Sequence, residues 1–177
     1  ANTYPVEDNT SDCGCGKEEV YTIEDLRTEV HNLSSALSDA TFPIEGIDFA
    51  HGAVVSSHHM RHQGGRPGHK GIDIVYKEPG KVNGMWVVSA WAGFVHKAYK
   101  STTYGNVVMV QHGNGYMTVY AHMQDGSIRV RPGQLVNPGT RLGKVGSTGR
   151  SSGPHLHFEI WKGEWVYGGD NHIDPYW

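Results

Sequence analysis

Residues 106–122 read NVVMVQHGNGYMTVYAH. Two runs rich in β-branched and aromatic residues flank His112-Gly-Asn-Gly-Tyr116, a composition suited to a tight hairpin between antiparallel strands. Neither run places apolar residues at helical spacing. The same texture extends in both directions. GIDIVY (71–76), WVVSAW (86–91), GFVHKAY (93–99) and LHFEIW (156–161) are short runs bounded by Gly, Pro, Asn or Asp. Such punctuation predicts an antiparallel all-β domain, sandwich-like or barrel-like. Helical periodicity is confined to residues before 42. Thr22 reads as an N-cap with Asp25 completing a capping-box variant. Ile23, Leu26, Val30, Leu33 and Leu37 then follow at spacings of three and four. This short heptad seam predicts one N-terminal α-helix over about 22–38, lying on the domain or associating with a second copy or a parent assembly. Phe42-Pro43 closes it. The expected organisation is a leader and helix in 1–41 and one β-domain in 42–177.

Composition narrows the function classes. Of 177 residues 24 are glycine, about twice the usual share of roughly 7%, which suits short strands and tight turns. Hydrophobic residues make up 37% and charged residues 19%, too apolar for a disordered chain. A net charge of −3 offers no basic face for nucleic acid. No apolar run reaches the length of a membrane span. A chain opening on Ala1 reads as a processed product or a fragment. Residues 1–18 are polar and predict a flexible leader. Their Cys13 and Cys15 lack the paired knuckles of a zinc ribbon.

Twelve histidines carry the functional signal. In Gly68-His-Lys-Gly-Ile-Asp73, an extended backbone puts His69, Gly71 and Asp73 on one face and Ile72 and Ile74 on the other. In Pro154-His-Leu-His-Phe-Glu159, His155, His157 and Glu159 share a face while Leu156 and Phe158 point to the core. Tyr120-Ala-His122 adds a third histidine at a strand end. The Gly/Ser-rich stretch 143–153 can wall a groove and let a substrate backbone approach closely. No H-E-x-x-H or G-x-S-x-G is present. Two imidazoles and one carboxylate suit Zn2+ with an open fourth position. Spacing alone does not choose between His155 and His157 as the second imidazole ligand.

His69-x-x-x-Asp73, Tyr120-Ala-His122 and His155-Leu-His157 occur in that order, together with Gly105-Asn-Val-Val, His112-Gly-Asn-Gly-Tyr116 and Gly146-Ser-Thr-Gly-x-Ser-x-Gly-Pro-His-Leu-His157. From about Phe42 to Pro175 the chain resembles the lysostaphin-type zinc endopeptidases of bacterial cell walls. The resemblance implies a compact antiparallel β fold with a groove over zinc. It implies an activity on peptide stems or cross-bridges of peptidoglycan, outside the cell, in the wall or periplasm, or on a virion. Carried over position by position, it makes His69, Asp73 and His157 the zinc ligands and His122 and His155 the catalytic histidines. Arg61 resembles an arginine the family often carries near the first ligand. Glu159 reads as a solvated side chain, with a role behind a ligand as the alternative.

The chain also departs from the pattern. Ser56–His62 holds three extra histidines, His58, His59 and His62, which read as a surface loop, with a groove wall or a loose second metal site as alternatives. The stretch 76–86 is longer than a minimal family turn. Two competing functions share these motifs: a wall-penetrating module of a larger assembly such as a phage tail, and a latent family member that binds peptide without cleaving it. For the latent form, Asn2, Asn9 or Asn32 could occupy the open zinc position.

Overall fold

The computed structural model describes residues 3–6, 19–26, 40–59, 68–113 and 115–175. Twelve strands account for almost all of its regular structure: β1 (Thr3–Val6), β2 (Glu19–Thr22), β3 (Ala53–Ser57), β4 (Ile72–Tyr76), β5 (Trp86–Val88), β6 (Gly93–Ser101), β7 (Gly105–His112), β8 (Tyr116–Met123), β9 (Leu135–Val136), β10 (Arg141–Lys144), β11 (Leu156–Lys162) and β12 (His172–Ile173). The main sheet runs β3-β4-β11-β8-β7-β6-β9, with β12 also paired to β11. The pairings are antiparallel. A second, two-stranded sheet pairs β10 with β5. The all-β antiparallel expectation holds, and 106–122 forms the β7–β8 ladder with Val110 opposite Thr118.

Strand alternation explains how the sheet is buried. Ile72 and Ile74 of β4, Val108 and Val110 of β7, and Leu156, Phe158 and Ile160 of β11 face one way. There they meet Val87 and Leu142 from the smaller sheet in a single core. The opposite face is covered as well. Val107, Met109, Met117, Val119, Ala121 and Trp161 form a second cluster, against which Tyr104 and Trp165 pack. Sites on that face are therefore partly roofed.

Of the stretch 1–18, whose composition predicts a flexible leader, residues 3–6 are described, and they form β1. Residues 3–6 pair antiparallel with 19–22, Thr3 opposite Thr22. The β-branched and aromatic residues in Thr-Tyr-Pro-Val and Glu-Val-Tyr-Thr favour extended backbone despite polar surroundings. The predicted N-cap is present. Asp25 N–H donates to Thr22 Oγ1 at 3.2 Å, and Thr22 N–H donates to Asp25 Oδ2 at 2.9 Å. Residues 23–26 are helical, and Leu26 is buried against Phe94. Val30, Leu33 and Leu37 of the seam lie outside the described residues, as do Cys13, Cys15, Arg61, His62 and the three asparagines considered for latency.

Candidate metal centre and active site

β11 lies between β4 and β8, and its register sets His157 opposite Asp73 on one side and Ala121 on the other. His69 lies three residues before β4, ahead of a bend at Lys70 and Gly71. These placements bring three donor atoms together. His157 Nδ1 is 2.9 Å from Asp73 Oδ1, His69 Nε2 is 3.2 Å from the same oxygen, and the two nitrogens are 3.0 Å apart. Donors around one tetrahedral ion with bonds of about 2.0–2.2 Å sit roughly 3.3 Å apart. Among the described residues this is the cluster of three or more His, Cys, Asp or Glu close enough to share an ion. The geometry selects His157 over His155 for this triangle.

The far nitrogen of each ligand-type imidazole is engaged. His69 Nδ1 donates to the His58 carbonyl at 3.0 Å. His157 Nε2 donates to Glu159 Oε1 at 2.7 Å. With both rings neutral, these bonds would leave His69 Nε2 and His157 Nδ1 with the lone pairs that an ion needs. Burial pushes the His157 imidazole down, but the carboxylates on both its nitrogens more than reverse this and hold it up at about 9. Asp73 is raised by burial, yet its hydrogen bonds to His157 and His69 take its carboxyl well below the usual range. Two carboxylates converging on one buried imidazole call for positive charge, so the donor set fits a divalent cation.

His122 and His155 stand beside the triangle, ring centroids 4.7 Å apart. His155 Nε2 is 3.6 Å from Asp73 Oδ1. His122 Nδ1 donates to the Thr148 carbonyl and His155 Nδ1 to the Gly153 carbonyl, each at 2.8 Å. Both rings therefore present Nε2 as the nitrogen available to a substrate. Burial holds His122 down at about 4, against the opposing pull of the Thr148 carbonyl.

The placement of His122 depends on a bulge. Strict alternation along β8 would send it to the core side with Thr118 and Tyr120. Instead, Asn106 pairs with Met123 and Val108 with Tyr120, so Ala121 and His122 together oppose Val107. His122 takes φ 61°, the only non-glycine φ above zero among the described residues. A bulge with a left-handed residue re-aims a side chain, here toward His155 and His157.

Glu159 corrects the solvated reading. It is 1% exposed. Besides His157 it accepts the Tyr104 hydroxyl at 2.7 Å and Trp161 Nε1–H at 2.6 Å. Burial raises its carboxyl, but these three donors, led by His157, bring it below the usual value. Tyr104 is pushed far above an ordinary phenol by burial and by the Glu159 charge. Period-two spacing already placed Glu159 on the His157 face. Its partner Tyr104, 55 positions away, left no local signature.

Compared with known families, residues 67–175 match peptidase family M23, well over half of the chain. The chain belongs to peptidase family M23. One relative, the peptidoglycan DD-endopeptidase ShyA of Vibrio cholerae, is 54% identical over 56 residues, 32% of this chain and 13% of its own length. A zinc-containing peptidase from Vibrio cholerae is 32% identical with a TM-score of 0.57, over 70% of this chain and 37% of that one. The catalytic domain of lysostaphin from Staphylococcus simulans is 25% identical with a TM-score of 0.60, over 69% and 88% of the two chains. Matches to the curated relatives span only 13% to 23% of their lengths.

Proposed function

We propose that this M23 domain is a zinc endopeptidase that hydrolyses peptide stems or cross-bridges of bacterial peptidoglycan, acting in the wall or periplasm or from a virion. The observation that carries this is the triangle of His69 Nε2, Asp73 Oδ1 and His157 Nδ1, no side longer than 3.2 Å, flanked by two imidazoles with available Nε2 atoms. The DD-endopeptidase and lysostaphin relatives support the substrate class. We assign the peptidase unit to 42–177 and a leader with an amphipathic helix to 1–41, Leu26 of that helix packing on the unit at Phe94.

His69, Asp73 and His157 would hold the ion, with Glu159 fixing the His157 ring from behind. When bound, zinc supplies Lewis-acid polarisation of a carbonyl and acidifies a water toward neutrality. His122 is neutral at pH 7, so its Nε2 can accept a proton. Once protonated, either flanking imidazole becomes a donor. It can then steady the charge developing on the scissile carbonyl oxygen and return the proton to the leaving amine.

The test is digestion of purified sacculi of several peptidoglycan types, with the new termini identified by mass spectrometry and zinc measured on the same protein. About one zinc per chain is expected, with new peptide termini. Replacing His69, Asp73 or His157 by Ala should remove zinc and activity together. Replacing His122 or His155 by Ala should keep zinc and lower activity roughly 10²–10⁴-fold. Zinc and activity should fall together as pH is lowered, because protons compete with the ion for the ligand imidazoles. Cleavage by the metal-free protein, or zinc lost in His155→Ala and kept in His157→Ala, would overturn the assignment.

A further inference from the structure

His59, one of the extra histidines of 56–62, stands outside the triangle above and meets the C-terminal strand. His59, two residues beyond the end of β3, places Nε2 2.8 Å from Nδ1 of His172 on β12. The ring centroids are 4.9 Å apart at an interplanar angle of 74°. This nitrogen separation is as short as the 3.0 Å between His69 and His157 within the first triangle. Both rings are half-buried, so solvent can complete a coordination shell. His172 is seated edge-on to the buried Trp161, ring centroids 5.3 Å apart, and β12 is fixed by its pairing with β11. The pair is thus held on framework on one side.

The surrounding charge is mixed. Asp174 and Glu159 act on His59, and Asp170 and Glu159 on His172, each in the direction that favours positive charge. Burial opposes this at both rings, as do Lys70 at His172 and His172 and His69 at His59. Lys70 is itself engaged, its Nζ 5.1 Å over the Trp161 ring and bonded to the Gly169 carbonyl at 3.0 Å.

We propose that His59 and His172 form a second, open metal site that takes a divalent transition ion of the imidazole-preferring class, Cu2+, Ni2+ or Zn2+. Two protein nitrogens and solvent would hold it, so it fills after the three-ligand centre. An ion there would tie β12 to the segment 58–59, whose His58 carbonyl orients His69. The inference concerns a different set of residues and stands independently of the peptidase activity.

The experiment is a Ni2+ titration of the full chain already carrying one equivalent of zinc, followed by calorimetry and metal analysis after gel filtration. The wild type is expected to take up one further equivalent. His59→Ala and His172→Ala should each lose that equivalent while keeping the first. Asp73→Ala, stripped of zinc, should still bind one Ni2+ at the pair, shown by its loss in Asp73→Ala/His172→Ala. His172→Gln serves as a second variant should His172→Ala unfold by near-UV circular dichroism. A wild type that saturates at one equivalent in total, or a second equivalent that survives in both His59→Ala and a folded His172 variant, would overturn the proposal.

Discussion

His122 sits at φ 61°, a left-handed backbone that costs an L-residue roughly 1–2 kcal/mol. Glycine adopts it freely. His122→Gly should therefore be more stable than His122→Ala by about 1 kcal/mol, the reverse of the usual order in a strand. Urea unfolding of the two variants measures this, and equal stabilities would mean the bulge relaxes in one of them. Activity should be low in both. Of this site, His69, Asp73, His155 and His157 were legible as residue types on shared strand faces. The bulge was not, because nothing in Tyr120-Ala-His122 marks an extra residue in the ladder. Glu159 was misread for a related reason. Alternation gave its face, but its partner Tyr104 arrives from a segment 55 positions away.

Among the loops, the glycine-rich stretch before β11 has a packing role that its composition only hinted at. Thr148 Oγ1 accepts from Asn106 N–H at 3.0 Å and donates to the Met123 carbonyl at 2.6 Å, while its carbonyl holds His122. Gly149, at φ 74°, lies so close to β7 that an added Cβ would fall 2.2 Å from Gly105 N and 2.5 Å from the Thr103 carbonyl. Gly149→Ala is therefore expected to lower stability by about 1–3 kcal/mol. It should also displace Thr148, so activity falls while zinc stays bound. Zinc content and unfolding measured on one preparation would show it; an Ala variant with full activity would place the clasp elsewhere. The strands themselves were readable because β-branched runs punctuated by Gly and Pro leave little competition from helix. β1, β2, β3, β9, β10 and β12 escaped that reading, and β9, β10 and β12 carry only two to four residues.

Across the whole molecule, acid stability should be set in part by a histidine remote from the metal. His112 is 4% exposed, with Nδ1 2.8 Å from the Ala92 carbonyl and Nε2 2.8 Å from Thr118 Oγ1. Burial holds it down at about 4, against a reference of 6.5. The unfolded chain binds this proton from pH 6.5 downward and the native chain does not. Its contribution is therefore intact above 6.5 and is lost as pH falls toward 4, by up to about 3 kcal/mol. His112→Asn should flatten the wild-type decline between pH 7.5 and 4.5 by that order, metal release being common to both proteins. Parallel profiles would assign the acid sensitivity to other groups. The pairing of Asp73 with His157 has a kinetic meaning as well. The two are 84 positions apart and meet only when β11 docks between β4 and β8. Contacts so distant in sequence close late, after the entropy of a long loop has been lost. An ion therefore finds its donors only in a sheet that is already assembled. Added zinc should leave the refolding rate unchanged, and a chelator should speed unfolding, with stopped-flow chevrons moving on one arm alone.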